Sequence, residues 1–141
     1  MTRYMLIMRS TPEAEEATKD IPFEEIINAM GRYNEELIKA GVLLAGEGLA
    51  GPEDGFVVDF SSDPPAVTDG PYTEAKELFN GFWILGVSSK EEAKQWAQKC
   101  PLGPGVKLEV RRVTETEEFP QDNEYVQKEY QWRKDLEAKN A

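Results

Sequence analysis

The run FNGFWILGV, residues 79–87, limits the fold of this chain more than any other stretch. Its length and its aromatic and branched side chains are those of a β-strand. Strand alternation puts Phe79, Trp83, Leu85 and Val87 on one side and Phe82 and Ile84 on the other. A strand that is apolar on both sides has to be covered on both sides. The rest of the chain must therefore supply two layers of cover, or another molecule must supply one of them.

The other elements are legible around that strand. Residues 3–9, RYMLIMR, form a strand with arginine at each end, followed by a polar, acidic connection, TPEAEEATKD. Residues 22–41 carry Phe23, Ile26, Ile27, Met30, Leu37 and Ile38 at spacings of three, four and seven. This predicts an amphipathic helix entered through Asp20 and Pro22 and stopped by Gly41. Gly31 inside it is costly for a helix and suggests close packing against a strand. A glycine-interrupted strand, VLLAGEGLAG at 42–51, comes next. The short strands 55–60 and 65–69 follow, joined through SSDPP as a hairpin. Ser89 with Glu92 reads as a capping box opening a second helix, whose inner face is Ala93, Trp96, Ala97 and Cys100. VKLEVRRV, residues 106–113, is the last strand.

That order is β-α-β, an inserted hairpin, then β-α-β. It predicts an α+β, ferredoxin-like βαββαβ domain over residues 1–114, with two helices on one face of an antiparallel sheet. Residues 115–141 form an acidic linker and a C-terminal helix with Tyr125, Trp132 and Leu136 on one stripe. Two helices cover one face of the sheet. The second must be covered by the terminal helix, by the hairpin, or by a second copy in a homodimer with a barrel-like interior.

Composition narrows the function. A chain of 141 residues with 40% hydrophobic content can bury a core as one domain. A net charge of −11 argues against nucleic acid and against an anionic membrane surface. MTRYMLIMRS lacks the apolar core of a signal peptide, and one cysteine, Cys100, allows no internal disulfide. Both point to a cytoplasmic protein. The sequence contains no histidine, so the usual metal ligand and the usual neutral-pH base are missing. No metal and no cofactor are expected, since neither EF-hand spacing nor a glycine-rich nucleotide loop is present.

The stretch TDGPYTEAKE, residues 68–77, lies directly before the strongest strand. Its plain reading is a corner: Asp69 accepts local hydrogen bonds, Gly70 and Pro71 shape the turn, and Thr73 caps one helical turn. With FNGFWILGV it also resembles the DGPF-type signature of the YCII-related family. RYMLIM, AGVLLAGEGLA, AKQWAQKCP and VKLEVRRV resemble that family's blocks in the same order, covering residues 3–113. Tyr72, Ala75 and Asn80 depart from the usual phenylalanine, threonine and glycine. The resemblance implies a bacterial, dimeric α/β barrel. Broader relatives of that family carry a His–Asp pair proposed as an active site; this sequence has no histidine, so that pair cannot exist here.

Two functions follow as expectations. The first is a dimeric small-molecule-binding barrel, with cofactor-independent activity of lyase, isomerase or dehalogenase type. Asp69 and Glu47 are its candidate acid/base residues. Tyr72, Lys76, Arg9, Arg111 and Trp83 are the candidate ligand contacts, the arginines as carboxylate clamps. The second is a non-catalytic accessory module partnering an extracytoplasmic-function sigma factor, as the resemblance suggests. Each residue also has an ordinary reading: Glu47 as an arginine partner, Tyr72 as packing, Lys76 as a solvated charge, Trp83 as core, and the arginines as surface.

Overall fold

The computed structural model describes residues 1–71 and 77–141. In chain order the elements are β1 (Thr2–Ser10), α1 (Pro12–Thr18), α2 (Phe23–Lys39), β2 (Leu43–Gly48), β3 (Phe56–Asp59) and β4 (Ala66–Asp69). After them come β5 (Leu78–Val87), α3 (Lys90–Gln98), β6 (Lys107–Arg112) and α4 (Glu124–Asn140). Single helical turns stand at Pro52–Asp54 and Thr116–Glu118. The main sheet is antiparallel in the order β2-β5-β1-β6, and β3 pairs with β4 in a separate hairpin. This is the α+β arrangement expected from the element order.

One segment differs from expectation. The polar connection after β1 contains α1, a helix started by ordinary local chemistry. Thr11 Oγ1 accepts from the Ala14 amide at 3.1 Å, and Pro12 takes the first turn, where no N–H is needed. Glu13 and Glu15 stand where the helix dipole favours negative charge. Ala14 is buried, so this helix is short because it has only one side chain to bury.

α2 ends at Gly41, as its sequence predicts. Gly41 has φ of 72°, its amide donates to Ile38 O, and the Val42 amide donates to Leu37 O. These paired bonds close the helix and turn the chain into β2. Gly31, by contrast, is exposed, and a Cβ there would touch nothing within 4 Å. Close packing therefore does not explain it.

Both long helices of the domain lie on one face of the sheet. Leu6, Leu37, Leu85 and Val87 are fully buried between the layers, with Tyr33, Val42, Trp83 and Ala93 beside them. Each large side chain buried there contributes about 1.5–3 kcal/mol. Tyr33 Oη donates to Trp96 O at 2.8 Å and links α2 to α3.

The opposite face carries Met5 and Ile7 of β1, Phe82 and Ile84 of β5, and Glu109 and Arg111 of β6, by the strand register. Phe79 joins this face, a second departure from expectation. The pairing irregularity at Met8 and Arg9 sets Phe79 opposite Arg9, with its ring 6.3 Å from that of Phe82. Among the described residues, neither the hairpin nor α4 packs broadly over this face. α4 rests on the turn Thr116–Glu118, and Tyr125, Trp132 and Leu136 remain at least half exposed.

Candidate functional site

The largest described hollow, about 570 Å³, lies on the helix-covered side between α2 and β2. Phe23, Ile26 and Met30 of α2 form one wall. They follow each other at three and four residues, so the helix presents them as one stripe. Asn34, four residues further on, ends the stripe with an amide. The floor is formed by Gly46 and Gly48 of β2 and Gly81 of β5. Gly81 is required by packing, because a Cβ there would lie 2.9 Å from Glu47 O, whereas a Cβ on Gly48 would enter open space. The missing side chains are what make the hollow.

Trp83 closes the inner end. It is 7% exposed, its ring meets that of Tyr33 edge-on at 5.6 Å, and its indole N–H donates to Asn34 Oδ1 at 2.8 Å. That bond orients the Asn34 amide. Its Nδ2 has no protein partner among the described residues, yet no side-chain polar atom described as buried lacks one. Nδ2 is therefore an accessible donor at the edge of an apolar cleft.

Glu47 stands between the two floor glycines and is exposed; its backbone borders the cleft, while its pairing with Phe82 sets its side chain on the opposite face of the sheet. Asp69 ends β4 opposite Phe56, exposed and away from the cleft. The structure brings Trp83 to this hollow, turns the Glu47 side chain to the other face of the sheet and leaves Asp69 out of it. Gly70 beside it is structural: its amide donates to Gly55 O at 2.9 Å, and a Cβ would lie 1.7 Å from Pro52 O. Only glycine lets the corner approach the turn at Pro52–Asp54. Tyr72 and Lys76, with the capped turn expected after Thr73, lie outside the described residues.

The arginine candidates face the open side of the sheet. Arg9 Nε donates to Glu77 at 2.9 Å and its Nη1 to Glu109 at 3.4 Å, while Lys107 lies 3.7 Å from Glu77. The Arg9 guanidinium holds the Glu77 carboxyl below its ordinary range. This fork already has carboxylates from its own chain. Arg111 is exposed, 4.0 Å from Glu109. Cys100 is half-buried, and burial pushes its thiol up to about 12. Among the described residues no three Cys, Asp or Glu side chains gather as a metal site, and no helix is long and apolar enough to cross a membrane.

Sequence reasoning passed over Asn34. Its signal was available: one amide in line with the apolar stripe Phe23, Ile26, Met30.

A family model described as a YCII-related domain matches residues 2–117. The chain belongs to the YCII-related family. The match spans the whole sheet, α1 to α3 and the hairpin, and it ends before α4. No curated protein matches the chain.

Proposed function

We propose that this YCII-related protein binds a small, planar, largely apolar organic molecule between α2 and β2. In this reading it works as a homodimer, two open sheet faces closing on each other as an α/β barrel, and it belongs to the DGPF branch on the strength of TDGPYTEAKE. The observation that carries the binding role is the accessible Asn34 amide, oriented by Trp83 at the edge of an apolar, glycine-floored cleft. Such a site suits one flat ring plus one hydrogen-bond acceptor. The Glu47 side chain stands with Phe82 on the open face of the sheet, so the cofactor-free proton transfer of the isomerase or lyase kind assigned to it belongs to the interior of the dimer barrel and not to the α2 cleft. Asp69 is assigned to the corner.

Acetophenone, a ring with one carbonyl acceptor, is a suitable probe for amide NMR. Saturable shifts at residues 46–49 and 26–34, lost in Gly48→Val, are expected. A Cβ at Gly48 meets no atom within 4 Å, so that variant keeps the fold while filling the cleft. Shifts unchanged by Gly48→Val would remove this site.

A further inference from the structure

A second hollow of about 360 Å³ lies at the other end of the helix-covered face, between α3 and the edge strand β6. The two β-α-β units thus each leave a cleft between helix and edge strand. The second runs along the flank of α3, from Lys90 at its start to Gln98 at its end.

Its chemistry differs from that of the α2 cleft. Leu108 and Val110 of β6 and Ala97 of α3 supply an apolar floor. Lys90 and Lys94 border it one helical turn apart, on the same side of α3. Both are exposed, and among the described residues neither stands within salt-bridge distance of a carboxylate; the lysines that do are Lys19, Lys39, Lys107 and Lys128. In a chain of net charge −11, two adjacent uncompensated lysines over an apolar floor are not what solubility requires. Lys90 also opens α3, where a cation works against the helix dipole.

Of the neighbouring carboxylates, Glu91 is exposed and forms no ion pair among the described residues, and the others are accounted for. Glu92 accepts from the amide and hydroxyl of Ser88 at 3.0 and 3.1 Å, and Glu118 is held by Arg112. Glu109 lies on the opposite face of the sheet. Tyr4 also lines the hollow, and its hydroxyl has no partner among the described residues.

We infer that the α3–β6 cleft is a second binding site, for a small organic carboxylate with an apolar body, of the size of octanoate or benzoate. The carboxylate lies between Lys90 and Lys94, within reach of the Tyr4 hydroxyl, and the apolar body covers Leu108 and Val110. The charge pair selects the head group, and the floor selects against fully polar anions.

Amide NMR of the full chain, titrated with octanoate and separately with 1-octanol, tests this. Octanoate is expected to saturate shifts at residues 90–98 and 107–110. Lys90→Gln with Lys94→Gln should weaken it about tenfold or more, as loss of charge-assisted bonds predicts, and octanol should bind about as weakly. Gly48→Val should leave octanoate binding intact, so this site stands or falls separately from the α2 cleft. Equal affinity in the double glutamine variant, or octanol binding as tightly as octanoate, would overturn it. So would concentration-dependent shifts at the same amides without ligand, which would mean that a second copy fills the cleft.

Discussion

The indole N–H of Trp83 donates to Oδ1 of Asn34 at 2.8 Å and bonds the sheet to α2 across the inner end of the larger cleft. In the proposed function this pair serves packing and recognition together. The acceptor satisfies a buried indole, and the same amide keeps a donor for a ligand.

Removing the acceptor should therefore cost stability. Asn34→Leu is expected to destabilise the chain by about 1–3 kcal/mol, because the indole N–H is left unpaired. Urea unfolding at pH 7 measures this. Combining it with Trp83→Phe should show coupling of at least about 0.5 kcal/mol; strictly additive effects would mean the bond is unimportant.

The open sheet face predicts association. Sedimentation of the wild-type chain is expected to report a dimer, and Ile7→Glu a folded monomer, since a carboxylate would be forced into the apolar contact. Ile7 belongs to the face away from α2 and α3, so the subunit core is untouched. A wild-type monomer at micromolar concentration would contradict the barrel reading.

Acid stability has a definite sign. Arg3 holds Glu115 below its ordinary range, Arg9 does the same to Glu77, and Arg112 brings Glu118 to about 2. A carboxyl depressed in the folded state stabilises above its unfolded pKa, and that contribution disappears as pH falls through the folded value. The ordinary glutamate value is 4.5 for all three. Stability from these pairs should be complete above about pH 5 and decline from there toward pH 2. Urea midpoints between pH 7 and 3 follow this, and Arg112→Gln should flatten the curve. All three carboxylates are partly exposed, so each share is small and weakened by salt.

Cys100 should be a slow nucleophile. Burial pushes its thiol up to about 12, which leaves little thiolate at pH 8. Alkylation by iodoacetamide is expected to be much slower in the native chain than in urea. Equal rates would show that the thiol is open.

Most of the fold was readable because it rests on local rules. Periodicity marked α2 and β5, Gly41 marked a helix end, and Ser89 with Glu92 marked the start of α3. Even there the detail differs, since Glu92 reaches back to Ser88 and not to Ser89. The helix α1 was missed although Thr11-Pro12-Glu13 carries its start signal, because its apolar content is too small to show a period. The site was less legible. Asp69 and Gly70 stood out as a motif, yet Gly70 is explained by the 1.7 Å approach that a Cβ would make to Pro52 O.

The sequence alone determined the alternation of strands and helices, the two-sided apolar strand and the exclusion of histidine chemistry, since each depends only on residue types and spacing. The tertiary structure decided which side chains share a cavity. Asn34 meets Trp83 across 49 positions of chain, and Lys94 of α3 shares a hollow with Leu108 of β6. Such meetings depend on sheet register and on how each helix packs across the sheet, and no local pattern encodes either.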